Sequence, residues 1–349
     1  MNYEQIESDQ TLPTRGKIIW AIDSVKNPEQ SWNLIQELNT WSQLLNCDVQ
    51  PTFIFSETNL GYPPALGLPW QDRYREVAER LSKHFLSAAK VNNQVDAKII
   101  FEPSASNQEM AEKVALYASR CRATMIFSGF HHQQTWNPFR IDGVAEPLMS
   151  LSRVPLLLMN QDALPSRQQI SVLFPTDFSR RSKVSLYHLI PLAKKVKAKV
   201  ILFNQVELPK IYPLGFSQSA AQNLESMDSM LKDLELVSEQ NVKIWENLVK
   251  ENNLACQSQV TREHHSLASE ILSACHQNGA NLIALSNHRG PISQIIAGGL
   301  ARELVMRAPC PVLIFAKPKN VQNPKISNLG TIAEIIQNSF APTNNPSAF

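Results

Sequence analysis

Asn281 to Phe315 reads NLIALSNHRGPISQIIAGGLARELVMRAPCPVLIF. The short apolar runs Leu282 to Leu285 and Val312 to Phe315 predict two buried strands, and the stretch after Gly298 and Gly299 predicts a helix between them. A loop that leaves the carboxyl end of a strand and runs into a helix N-terminus aims several unpaired N–H groups at one point, with the positive end of the helix dipole behind them. Such a point suits an anion, phosphate above all. The same glycines could instead cap a turn and let the helix pack closely on the sheet.

Working outward, the same plan occurs twice. KIIWAID at Lys17 to Asp23 superposes on SVLFPTD at Ser171 to Asp177, which puts Asp23 on Asp177, 154 positions later. ATMIFSGFHH from Ala123 falls on ANLIALSNHR from Ala280, 157 positions on, and VPLLLM from Val154 falls on CPVLIF from Cys310, 156 on. Offsets this constant over most of each half indicate duplication. Each half reads as an apolar strand ending in Asp, an amphipathic helix, a strand, and an insertion with a charged helix (Trp70 to Val91; Ser219 to Glu251). A strand, a helix, a strand, the loop, a helix and a last strand follow. Strands alternating with helices predict two tandem doubly wound α/β domains built on parallel sheets. Residues 17–160 form the first and 168–317 the second, with an N-terminal extension at 1–16 and a mostly disordered tail at 318–349 that holds a short candidate helix, Thr331 to Ser339. Ligands of such sheets collect beyond the carboxyl ends of the strands, where strand order reverses, so Asp23 with Ser128 and Asp177 with Ser286 should each meet at one rim.

Composition narrows the function. The chain has 349 residues, enough for two cores, and carries 33 basic against 31 acidic residues, so no global field recruits nucleic acid or an anionic membrane. Five scattered cysteines (Cys47, Cys121, Cys256, Cys275, Cys310) form no CxxC pair and read as reduced, buried thiols. No charged-then-apolar leader opens MNYEQIESDQTLPTRG and no apolar run approaches a membrane span, so a soluble, cytoplasmic chain is expected. His131, His132, Trp136 and Arg140 make a polar, aromatic cluster, and His264 and His265 precede a helix. No HExxH, Cys/His quartet, GxSxG elbow or GxxxxGK[ST] loop accompanies them, so neither a metal nor an enzyme is expected, with slow nucleotide hydrolysis the most that could occur.

PTDFS at Pro175 to Ser179, HHSLASEILSACHQNGANLIALSNH and GGLARELVMRAPCPVLIF together resemble a universal stress protein domain, and the first half resembles a diverged second copy. The resemblance runs from about Lys17 to Lys317. It implies a tandem, UspA-like stress-response regulator whose fold is that of adenine nucleotide alpha-hydrolases. ATP-binding members carry a G-x2-G-x9-G-[S/T] loop, and the Asp ending strand one reaches the adenosine. Carried over, Gly298 takes the third glycine, Gly299 the Ser/Thr position, and Ser286 and Arg289 the first two glycines, in a loop one residue short. In the first copy Gly129, His132 and Asp142 take the three positions, with Gly143 after them, and a carboxylate at the third would repel a triphosphate. The resemblance thus implies ATP or another adenine nucleotide in the second copy only, held among Pro175, Thr176, Asp177, Val206, Leu285, Ser286, His288, Arg289, Gly290, Gly298, Gly299 and Leu300. His288 and Arg289 could supply side-chain donors in place of lost backbone ones. Asp177 also reads as a plain helix N-cap, and Arg289 as a solvated loop residue.

Three further expectations concern surfaces. The apolar positions Leu224, Met227, Leu231, Leu234, Val237, Val242, Trp245 and Leu248 fall near helical spacing and should lay one helix on a sheet face. ETNLGYPPALGLPW and ELPKIYPLGFSQ read as flaps over the ligand rim or as partner surfaces. VPLLLM and CPVLIF would let the copies pair through their last strands as an internal pseudo-dimer, with a homodimer of chains beyond it. The competing function is a nucleotide-free scaffold acting through protein contacts.

Overall fold

The computed structural model describes residues 15–23, 31–56, 71–102, 105–130, 141, 143–161, 163, 165, 169–206, 220–262, 265–286 and 299–315. In the first half these form β1 (Gly16–Ile22), α1 (Trp32–Leu45), β2 (Cys47–Phe55), α2 (Gln71–Ala89), β3 (Lys98–Phe101), α3 (Asn107–Arg120), β4 (Met125–Phe130), α4 (Ala145–Leu151) and β5 (Leu156–Asn160). The second half repeats the order with β6 (Ser171–Pro175), α5 (Arg180–Lys195), β7 (Lys199–Val206), α6 (Ala220–Glu251), β8 (Cys256–Arg262), α7 (Leu267–Gln277), β9 (Leu282–Ser286), α8 (Leu300–Arg307) and β10 (Val312–Phe315).

All ten strands join in one sheet, ordered β3-β2-β1-β4-β5-β10-β9-β6-β7-β8. Every pairing is parallel except the central one, where Val312 faces Leu158, Leu313 faces Leu157 and Ile314 faces Leu156 in antiparallel register. The inner strands are apolar on both faces because helices cover both, whereas the edge strand β8 carries polar residues. One layer takes Ile18, Trp20, Trp41, Phe53, Phe174 and Trp245 with α1, α2, α5 and α6; the other takes Ile19, Ile126, Leu173, Ile283, Leu304 and Ile314 with α3, α4, α7 and α8. An ion pair from Arg302 on α8 to Glu146 on α4 ties the two halves beside the antiparallel junction. Sequence thus sets the architecture through period and length: short β-rich runs buried on two faces, with amphipathic helices between them.

Local chemistry fixes the helix starts. Ser106 accepts the Glu109 N–H at 3.3 Å while the Glu109 carboxylate accepts the Ser106 N–H at 2.7 Å, a reciprocal box that opens α3. The Ser266 hydroxyl opens α7 by accepting the Ser269 N–H. The α6 helix departs from expectation: Val242, Trp245 and Val249 are buried, whereas Val237, with Leu236 and Ile244, is about half exposed. Among the described side chains, Trp245, Leu248 and Val249 pack on the core while Val237 of the expected stripe does not; side chains at 220–231 lie outside the described residues. The cysteines carry no disulfide, and Cys275 and Cys310 lie with sulfurs 3.7 Å apart in the core. Among the described residues no helix is long and apolar enough to cross a membrane, and no three potential ligands gather around a metal position.

Candidate functional site

Strand order reverses twice. In the second half β7 and β8 lie on one side of β6 while β9 and β10 lie on the other, so the crevice falls between the carboxyl ends of β6 and β9. In the first half the corresponding crevice falls between β1 and β4. These are the positions at which doubly wound sheets bind ligands.

At the second crevice, β6 ends at Pro175 opposite Phe203 of β7, and the Thr176 N–H continues the ladder to the Phe203 carbonyl at 2.8 Å. The Thr176 carbonyl accepts from Asn204 Nδ2 at 2.8 Å, and its Oγ1 accepts the Phe178 N–H at 3.0 Å. Phe178 takes a left-handed backbone, φ 56°, unusual for a bulky residue, and its ring meets Trp245 edge-on at 5.4 Å. This tight turn sets Asp177 at the rim, half-buried. Its Oδ1 accepts from the Ser179 N–H at 3.0 Å and from the Ser182 hydroxyl at 2.5 Å. The N-cap of α5 is Ser179, whose Oγ accepts the Ser182 N–H at 3.2 Å. Asp177 is therefore not itself the cap, as one reading of the sequence had it; it braces the capping turn through one oxygen.

The other expected residues fall around this turn as follows. Val206 closes β7 and is buried, 5% exposed, while Leu285 and Ser286 close β9, with Ser286 opposite Phe315. Because β9, β6 and β7 are neighbours, Pro175 to Asp177, Val206 and Leu285 to Ser286 share one carboxyl rim. Gly299 is the N-cap of α8 and offers no side chain to it, and Leu300 turns into the apolar layer, so among the described residues no side chain caps that helix. His288, Arg289, Gly290 and Gly298 lie outside the described residues, as do the two flaps, the His131/His132 cluster and the tail.

Sequence reasoning missed Asn204. It is 7% exposed, its amide nitrogen is spent on Thr176, and its Oδ1 is a buried acceptor with no hydrogen-bond partner among the described residues. A buried acceptor without a partner costs about 1–3 kcal/mol. The signal lies in KVILFNQV, where one amide interrupts an otherwise apolar run.

The first crevice is built differently. Asp23, at the end of β1, turns its Oδ2 onto the Val144 N–H at 2.8 Å, at the start of α4. Gly143 just before it has φ 74°, and a Cβ there would overlap Asp23 Oδ2. The carboxylate thus fills the space in front of that helix. Gly129, which sequence spacing places in a phosphate loop, lies within β4, and a Cβ there would collide with the Leu34 methyls of α1. The missing side chain there leaves room for Leu34 of α1, and strand β4 runs on to Phe130, two residues past Ser128.

Residues 171–316 match the model of the universal stress protein family. A universal stress protein from Archaeoglobus fulgidus DSM 4304 superposes over 86% of this chain and 97% of its own with a TM-score of 0.58, at 14% identity. A functionally unknown protein from Pseudomonas aeruginosa PAO1 superposes over 87% and 93% with a TM-score of 0.49, at 10% identity. A universal stress protein from Archaeoglobus fulgidus in complex with dAMP covers 42% of this chain and 97% of its own, with a TM-score of 0.28 and 13% identity. A search of curated proteins finds no match. Residues 171–316 are therefore a universal stress protein domain, and the chain as a whole has the fold of a universal stress protein.

Proposed function

We propose that this chain is a cytoplasmic stress-response regulator that binds ATP or a related adenine nucleotide in its second half, residues 168–317, and none in its first, residues 17–160. The observation that carries the reading is the contrast between the two crevices. At the first, the Asp23 carboxylate already occupies the front of α4. At the second, Asp177 is held back on its own turn by Ser179 and Ser182, and among the described residues no side chain caps α8 at Gly299. The α8 N-terminus would receive phosphate, with Gly298, Gly299 and the His288 to Gly290 segment around it. Asp177 would take the ribose hydroxyls, and the orphaned Asn204 Oδ1 would accept from an exocyclic amine, which favours adenine over hypoxanthine.

The chain has no place in this reading as an enzyme beyond slow hydrolysis, because the sequence from Ser286 to Gly299 holds no lysine to meet a transferred phosphoryl group. The antiparallel β5–β10 junction would make the chain an internal pseudo-dimer, leaving chain dimerisation to other surfaces. The closed first crevice favours a second role for that half, as a nucleotide-free scaffold that contacts proteins. Calorimetric titration with ATP tests the reading. Saturable binding lost in Asp177→Ala and in Gly298→Glu supports it, and Asp177→Ala leaves the Ser179 cap in place, so the fold survives the test. No heat at millimolar ATP leaves the scaffold role alone.

A further inference from the structure

Among the described residues the sheet has two edges that no strand pairs with, β3 and β8, and they are finished differently. Along β8 polar side chains are tied to the flanking helices: Ser258 donates to Glu246 at 2.6 Å, Gln257 donates to Asn278 at 2.7 Å, Asn278 donates to Gln259 at 2.6 Å, and Arg262 pairs with Glu235. The β3 sequence is KIIF, and Ile99, Ile100 and Phe101 are each only partly buried.

Backbone direction on β3 follows from one bond. The Glu102 N–H reaches the Phe55 carbonyl of β2 at 3.0 Å, and in a parallel pair alternate residues point both polar groups to the same neighbour. Lys98 and Ile100 therefore face β2, while the N–H and C=O groups of Ile99 and Phe101 face away from it. In front of them lies a cleft of about 640 Å³, walled by α2 from one sheet face and α3 from the other. Its charged lining is Arg75, Lys98, Lys113 and Arg120 against Glu79 and Glu102. Glu102 is neutralised by Lys113, and Lys98 lies 5.9 Å from the Tyr117 ring centre. Arg75, Lys98 and Arg120 form no salt bridge with any described residue.

We infer that this edge docks an extended acidic peptide segment of a partner protein, which adds to the sheet as a strand beside β3. Backbone pairing to Ile99 and Phe101 supplies the affinity, and alternate side chains of the peptide fall toward Arg75 on one wall and toward Lys98 and Arg120 on the other. Charge decides the occupant. A second copy of this chain meeting edge to edge would bring the same net basic lining, four cations against two carboxylates, up to itself, which opposes self-pairing.

The test is fluorescence anisotropy of the full chain with a labelled peptide of alternating Val and Glu, about ten residues long. Saturable binding is expected, weakened about tenfold or more in Ile99→Pro and in the Lys98→Glu, Arg120→Glu double variant. Proline at Ile99 removes an outward N–H and spares the ladder to β2. The charge variant alters exposed side chains only, so it carries the test should the proline variant unfold in a thermal melt. The inference is overturned by any of three results: equal binding of a Val/Lys peptide, unchanged affinity in the charge variant, or no saturation at about 1 mM peptide. Sedimentation showing a dimer that Ile99→Pro dissolves would overturn it too, by making a second copy the occupant.

Discussion

Replacing Asp23 by alanine removes the acceptor that holds the Val144 N–H at the start of α4. Loss of one such cap costs about 1–2 kcal/mol, the charge adding to the hydrogen bond at a helix N-terminus. Gly143→Ala attacks the same contact from the other side. Alanine at φ 74° costs about 1–2 kcal/mol in backbone strain, and its Cβ overlaps Asp23 Oδ2, so the carboxylate must leave and the cap is lost as well. The single Gly143→Ala variant should therefore lose about 2–4 kcal/mol. In the Asp23→Ala background the same change should cost only the strain, about 1–2 kcal/mol, because nothing is left to displace. Urea unfolding of the four proteins reads the coupling directly as shifts in midpoint. A coupling of about 1–2 kcal/mol is expected; additivity within about 0.5 kcal/mol would refute the claim that Asp23 fills this crevice.

Other consequences are simpler. Glu109 has its pKa lowered, first by the hydrogen bond from the Ser106 N–H and then by the one from the Ser106 hydroxyl. A carboxylate depressed on folding stabilises above its unfolded pKa, and that stability is lost as pH falls through its folded pKa, so an acid titration should loosen α3 and Glu109→Gln should flatten that part of the profile. Amide exchange in α3, followed from neutral pH downward, checks it. Trp245→Ala should cost about 3–5 kcal/mol, because a fully buried indole that packs edge-on to Phe178 leaves a cavity and frees the strained turn before α5. Denaturant unfolding measures the loss, and a cost below about 1 kcal/mol would mean that α6 does not seal this face.

The fold is legible in the sequence because its signals are local and repeated. Short β-rich runs such as VILF and LIAL can only be buried strands between amphipathic helices, and their near-constant offset gives the duplication. The pairing of VPLLL with PVLIF follows from two apolar edges of matched length, as Leu156 to Leu158 opposite Val312 to Ile314 shows. What escapes the sequence depends on distant partners. Asp23 and Val144 are 121 residues apart, so nothing in IIWAID announces that this carboxylate serves a helix at the other end of the half. Gly129 looks like a loop glycine by spacing, yet its absent side chain answers to Leu34 of α1. Asp177 looks like the cap because it follows a strand, while Ser179 two residues on has the geometry and takes the role. In α6 the period is helical throughout, yet among the described side chains Val242, Trp245, Leu248 and Val249 are buried or packed on the core while Leu236, Val237 and Ile244 are about half exposed; periodicity reports that a face exists, not how much of it the sheet covers. Asn204 was recoverable, since an amide within an apolar strand demands a partner for each polar atom.

Equilibrium dialysis of the full chain against labelled ATP, read as moles bound per mole of chain at saturation, bears most directly on the contrast between the two crevices. One nucleotide per chain, abolished by Asp177→Ala and untouched by Asp23→Asn, is the expected result. Two nucleotides per chain, or none, would contradict it.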